Sequence, residues 1–374
     1  MRRVFAGFAA VGLLVLLVIR LVYGGGSPYA DLTTTPMLDD EALEIAFSYD
    51  QPIGNVAVDE DGSIFFTVHP EAKPQGNKVL KVSDGIALPF PDGAAQQQLF
   101  KTPLGIRIDA RGHLWTIDHG GNARAPARLM SFDAQTGEVL HDHEFSRDIA
   151  PIGSYLQDLV ISNDGATVVI ADIGFLRRDP ALIVYDTRQR TARRVLSGDP
   201  SVTPQKWLIN NPLRKMRFYG GLVSMMPGVD GLALDPANAW LYYGAMSHDG
   251  LYRIDFNLLR GADSSDVDLA DSIERFSHKP LSDGLSRDTA GHIYITDVEH
   301  NAILRVDQRR RLETLVKSRR IRWPDALSFG PEDWLYVADS ALPVYLLRSQ
   351  DAIEDNAPYH IYRFRSGHAG IPGQ

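Results

Sequence analysis

Acidic residues recur in this chain at two places in a repeating context. Asp158, Asp230, Asp283 and Asp325 stand at the same phase near the opening of short apolar stretches (LQDLV, VDGLA, SDGLS and PDALS), while Asp118, Asp172, Asp297 and Asp339 end aromatic or β-branched stretches (TID, IAD, ITD and VAD). Four carboxylates brought together repel one another unless a proton or a cation lies among them. Such a group can counter the charge of an amine, or raise one member's pKa until it serves as a general base, and it suits a hard cation. The second set reads differently. An aspartate closing a strand commonly accepts N–H bonds from the following turn, so these four are expected to be turn caps. His69, His119, His248 and His300 follow the same strand ends and are expected in surface loops, with His119, His248 and His300 as candidate ligand contacts. The His-Asp-His run at 141–143 is a weak metal pattern. The sequence has no glycine-rich phosphate loop, no His-Glu-x-x-His pair and no Gly-x-Ser-x-Gly elbow.

The elements that must position these residues form a repeat. GNVAVDEDGSIFFTVHPE, GIRIDARGHLWTIDHGG, DLVISNDGATVVIADIG, DGLALDPANAWLYYGAMSH, DGLSRDTAGHIYITDVEH and DALSFGPEDWLYVADSA share one plan: a short apolar strand, a polar turn, then a strand rich in Val, Ile, Tyr, Trp or Phe. Anchored on Gly62, Gly112, Gly165, Asn238, Gly291 and Asp333, the units recur about every 50 residues, which predicts an all-β, six-bladed β-propeller. Neighbouring strands of a blade run antiparallel, so the start of each first strand and the end of each second strand share one face. First strands line the axis, and both sets of acids therefore face one channel mouth. The last unit lacks an outer strand, and ALEIAFSYD (42–50) is expected to supply it by pairing with PYHIYRFRS (358–366), which closes the ring. The widest gap, between Gly165 and Asn238, holds PSVTPQKWLINNPLRKMRFYGGLVSMMPG. Its Trp207, Phe218 and Tyr219 either seal a blade edge or form a lid over the channel, where they would touch a ligand.

The bulk numbers restrict the partners. A formal charge of -9 over 374 residues excludes a phosphate backbone as main partner, and the basic run RRRLETLVKSRRIR (309–322) reads as a solvated strand face. There is no cysteine, hence no disulfide, thiolate metal site or cysteine nucleophile. The N-terminus carries Arg2 and Arg3 before an apolar run from Val4 to Ile19. That predicts a hydrophobic anchor helix or a signal peptide over residues 1–26, followed by a linker (27–41), the propeller (42–366) and a tail (367–374). The protein is then expected outside the cytoplasm, periplasmic or extracellular, and attached to the membrane if the segment is uncleaved.

The landmarks YLQDLVIS, VVIADIG, LIVYDTRQRTARRVLSGDPSVTP, GVDGLALDPANAWLYYGAMS, SDGLSRDTAGHIYITDVEHNAILR and WPDALSFGPEDWLYVADSALP, in this order, resemble the royal jelly protein and Yellow family. The resemblance covers about residues 50–365 and implies a secreted six-bladed propeller binding small aromatic or amine ligands at its channel mouth, with dopachrome-tautomerase-type activity in some members. A more distant likeness is to the gluconolactonase and SMP-30 propellers, which hold a divalent cation on a Glu, an Asn and an Asp. Asp283 matches that Asp and Asp230 falls where the Asn would be, but Ile53 stands at the Glu position, leaving Asp158 to compensate. No cofactor follows from the sequence; if Asp158, Asp230 and Asp283 hold a cation, their oxygens favour Ca²⁺ over Zn²⁺.

Three readings result. The first is a small-molecule binder with Asp230 and Asp283 as its chemical centre, Asp158 and Asp325 beside them, and proton transfer on an enolisable ligand as its reaction. The second is a metal-assisted lactonase, and the third a scaffold without chemistry.

Overall fold

The structure, a computed structural model, describes residues 2–374 and the side chains of residue 8 and residues 10–374. Six four-stranded antiparallel sheets surround an axis, each meeting it with its first strand. The inner strands are Ile53–Val58, Pro103–Ile108, Leu156–Ile161, Val229–Leu234, Leu285–Arg287 and Pro324–Phe329, defining blades 1 to 6. Their apolar runs are buried on both faces because each packs between two neighbours, which is what near-continuous hydrophobic strands require. Five of the six expected turn anchors adopt a left-handed backbone, and in blade 6 Glu332 takes that role instead of Asp333.

Ring closure follows the expected pairing. Glu44–Tyr49 is the outer strand of blade 6, with Glu44 opposite Arg363 and Tyr49 opposite Tyr359. The basic run is the solvated outer part of blade 5, its Arg310 and Arg311 paired with Glu274 and Asp307.

Three further segments are placed by the fold. The linker is strapped down: Met37 and Leu38 donate backbone bonds to Thr314 and Leu315 at the outer edge of blade 5. The tail turns into the far end of the channel, where Phe329 N–H and Ser286 Oγ donate to the Gln374 carbonyl at 2.8 and 3.0 Å. The long insertion covers the channel mouth. Its Ile209, Met216 and Phe218 pack with Trp323, Leu342 and Tyr345, so it is the lid and not the edge seal.

The N-terminal segment is a helix, Arg2–Tyr23, whose end packs on the mouth, with Tyr23 Oη donating to the Leu176 carbonyl at 2.8 Å. Among the described residues no helix is long and apolar enough to cross a membrane. The expectation resting on the side chains of Arg2 and Arg3 lies outside the described residues.

Candidate functional site

Strand pairing fixes which residues are equivalent around the ring. Leu156 pairs with Asp172, Val229 with Ala245 and Pro324 with Asp339, each at the mouth end of its blade. Counting inward from these pairs, Gln157, Asp230 and Asp325 share one phase, joined by Asp283 in blade 5 and by Ile53 and Leu104 in blades 1 and 2. Asp158 lies one residue further along and does not share the phase expected for it. The inner strands carry register shifts here, and a one-residue slip turns a side chain to the other side. The equivalents of Asp158 are Gly54, Gly105, Gly231, Gly284 and Ala326. A Cβ on Gly105 would come within 2.1 Å of the Gln157 carbonyl oxygen, and one on Gly284 within 2.5 Å of that of Asp325. Neighbouring strands approach too closely at this phase for a larger side chain to be neutral.

Asp158 therefore does a different job. Its carboxylate accepts from Leu232 N–H (3.1 Å) in the next blade and from Arg107 (3.2 Å) in the previous one. Arg107 is 1% exposed and reaches across the axis, donating also to the Leu327 and Leu285 carbonyls. This guanidinium bridges four blades and floors the channel. With the tail beyond it, the tunnel is a cup with one mouth.

The cup has a volume of about 560 Å³. Asp283, Gln157, His69, Glu71 and Tyr155 form its polar floor, and apolar side chains including Phe175, Phe218, Tyr219 and Met225 form its walls. Asp283 accepts from Gln157 Nε2 (2.8 Å) and from Trp323 Nε1 (2.7 Å). Asp230 lies against Asp283, and burial, with the neighbouring charge second, raises its pKa well above the carboxylate range. Burial also raises Asp283, to about 7, while its hydrogen bonds favour the charged form, so of the two Asp230 keeps its proton to the higher pH. Asp325 is raised by burial too, with Asp283 as the second cause.

His69 and His119 were expected on the surface and are instead buried. The Nδ1 of His69 accepts from Glu71 N–H (3.1 Å) and that of His119 from Asn122 N–H (3.0 Å), which places each ring proton on Nε2. Burial holds both neutral, with pKa values lowered to about 3. His69 Nε2 faces Asp325 Oδ2 at 3.7 Å, and His119 stacks on Tyr155 with ring centres 4.0 Å apart. Behind the residues that line the cup, the buried polar atoms without a hydrogen-bond partner include Asp230 Oδ2, Asp325 Oδ2, His119 Nε2 and Tyr345 Oη.

Other candidates lie elsewhere. His248 is buried beside Asp249 and Tyr252, its Nδ1 accepting from Gly250 N–H, and does not wall the cup. His300 is held by Asp297 at 2.9 Å near Asp31, at the outer margin of the mouth. Trp207 packs on Tyr29 with ring centres 5.1 Å apart and braces the lid without facing the cup. Phe218 and Tyr219 do wall it. The strand-end acids are caps, as their position implies. Asp118 accepts from Thr102 and Gly120 N–H, Asp172 from Tyr155 and Gly174, Asp297 from Glu299 and His300, and Asp339 from Arg322 and Trp323.

Asp158, Asp230 and Asp283 do not fit a divalent cation. Asp158 already answers a guanidinium, and Asp283 has a donor on each oxygen. The described groups that bring three ligand atoms within 4.8 Å of one another are Asp288, His292 and His368, and Asp31, Asp297 and His300, both outside the cup. Arg107, Gln157, Tyr155 and Trp323 escaped the sequence reading. Alignment of the inner strands on Leu159, Leu232, Leu285 and Leu327 would have put Gln157, not Asp158, in the acid phase.

Comparison with known proteins agrees with this architecture. Among solved structures, a luciferin-regenerating enzyme superposes with a TM-score of 0.58 at 12% identity, covering 88% of this chain and 97% of that one. A regucalcin of Agrobacterium tumefaciens, described as calcium-binding, gives 0.54 at 13% (88% and 96%), and a gluconolactonase of Xanthomonas campestris 0.52 at 15% (92% and 97%). At these identities the likeness is one of fold alone. In sequence, Major royal jelly protein 1 of Apis mellifera is 26% identical over 209 residues, 50% of this chain and 46% of that protein. Major royal jelly protein 9 of the same organism is 28% identical over 224 residues, 53% and 49%. The chain thus spans about half the length of these relatives. The model of the major royal jelly protein family matches residues 102–367, from the start of blade 2 through the third strand of blade 6. With the lid, the acid-bearing inner strands and most of the ring inside that match, the chain belongs to the major royal jelly protein family.

Proposed function

We propose that the protein binds a small organic molecule, an aromatic or amine compound, in the one-mouthed cup, with its polar end at Asp283 and Asp230 and its apolar part under the lid. The observation that carries this reading is the set of four orphaned buried polar atoms around an acid pair. Each such atom costs about 1–3 kcal/mol when left unmade; ligand donors would satisfy the two carboxylate oxygens, and a ligand acceptor would satisfy the His119 Nε2–H. An ammonium group would find Asp283 charged, and a neutral donor would find Asp325. Phe218 and Tyr219 offer ring faces to a cation or an aromatic ring.

The same arrangement suits proton transfer. Asp283, poised above the ordinary carboxylate range, is the group to take a proton from carbon next to a carbonyl. The neutral Nε2–H of His119 and the Tyr345 hydroxyl are fixed donors for the oxygen that becomes charged. Balance is kept when the proton returns to a different atom of the same ligand, which is a tautomerisation. The metal-assisted reading has no comparable support, because the donor set around Asp283 is one of N–H groups. The apolar run after Arg2 and Arg3 supports a place outside the cytoplasm as part of the same proposal.

Calorimetric titration with tyramine at neutral pH tests the binding step. Binding is expected for the natural protein and an affinity at least about tenfold weaker for Asp283→Asn, the loss of one charge-assisted contact. Equal affinities, or no heat with either, would leave the scaffold reading in possession.

A further inference from the structure

The rim of the cup is apolar on its outer side as well. Tyr219, Leu347 and Leu176, which wall the cup, are 67%, 54% and 48% exposed, and Ile152 and Leu213 stand exposed in adjoining loops of the same face. At the opposite end of the blades the exposed large apolar side chains stand singly, Val267 on a short helix and Ile86 and Val139 at the starts of outer strands. A contiguous apolar surface around a cavity mouth marks an interaction site.

The N-terminal helix issues from this rim. Ile19 and Tyr23 wall the cup, and the side chains beyond them, from Phe8 through Val11 and Leu14 to Leu17, are exposed. A helix apolar on all sides has no face suited to water. Basic residues stand around the same opening: Arg20, Lys215, Arg217 and Arg348 are exposed, and Arg178 lies over the Tyr23 ring. Apolar tips bordered by cations match the acyl boundary and the anionic headgroups of a lipid leaflet.

We propose that this rim is a membrane-docking face: the protein lies mouth-down on an anionic bilayer, the helix running in or along the lipid, and the cup draws an amphiphile from the lipid phase. The apolar part of such a ligand passes between Tyr219 and Leu347 without crossing water, and its polar end reaches Asp283. The ligand class rests on the binding function proposed above; the docking geometry does not. A soluble ligand would gain nothing from an apolar outer rim, whereas one dissolved in lipid would meet a continuous apolar path.

The absence of cysteine makes the test direct. Leu176→Cys, Leu347→Cys and Val267→Cys each carry one bimane label on the full chain, mixed with phosphatidylcholine–phosphatidylglycerol vesicles containing doxyl-labelled lipid. Quenching is expected to be several-fold stronger at 176 and 347 than at 267, and to fall when Arg217 and Arg348 are changed to Glu. Equal quenching at the three positions would overturn the docking face, since it would describe a propeller merely tethered by its helix. So would labels at 176 and 347 that are shielded without vesicles in protein sedimenting as a dimer, since a second copy would then cover the rim. Loss of tyramine binding with quenching intact would strike the proposed function and leave the docking face standing.

Discussion

Replacing Arg107 by Met is expected to destabilise the protein by about 3–5 kcal/mol, the cost of leaving a buried charge without its partner. Asp158 would keep two backbone N–H donors but lose the only cation beside it, and the Leu327 and Leu285 carbonyls would lose theirs. The double variant Arg107→Met, Asp158→Asn should recover most of that loss, because removing both charges leaves no uncompensated ion. Denaturant unfolding followed by tryptophan fluorescence reads both values. A single variant costing under about 1 kcal/mol would mean that the bridge across the axis contributes no more than a surface ion pair.

The second large effect concerns Asp230→Asn and depends on pH. The unfolded carboxyl releases its proton near 3.8, whereas the folded one keeps it well above that value. Between the two the native state binds more protons than the unfolded chain, so stability falls as pH rises, by about 1.4 kcal/mol per unit at most. Asparagine has no proton to lose. The variant should match the natural protein near pH 4 and exceed it by a margin that grows as pH rises toward 8. His69 and His119 act in the opposite sense. Their pKa values drop from 6.5 to about 3 on folding, so the stability they contribute is complete above 6.5 and lost as pH falls toward 3. Above pH 6.5 these two histidines no longer contribute, and because buried Lys279, lowered to about 7, does, the Asp230 effect is read as the difference between variant and natural protein. A variant less stable than the natural protein at pH 8 would show that the Asp230 carboxylate is solvated or paired after all.

Blade number, ring closure and the face shared by the acids were legible in the sequence because they follow from strand alternation, which local residues determine. The phase of Asp158 was not. LQDLV offers two leucines on which to align, and only the second, Leu159, matches Leu232 and Leu327 and puts Gln157 opposite Asp230, as the glycines at the Asp158 phase of the other blades also indicate. Arg107 was not singled out in the sequence, since its partners are 51, 178 and 220 positions away. Trp323 donates to Asp283 across a blade boundary for the same reason. The histidines were placed on the surface because loops usually are; here the loops fold inward, and His69 and His119 fill the helical turns that follow their strands. The lid was legible as a segment, and its position over the mouth was not.

Blade 6 takes its outer strand from residues 44–49 and its third from 359–365. On a ribosome the first of these emerges early and must wait for its partner, a delay on the order of tens of seconds at ordinary elongation rates. Throughout that interval the nascent ring is an arc with two raw β-edges, each able to pair with a stranger. A binder that shields Ala42–Asp50 during synthesis should therefore do more for yield than any change to the finished core.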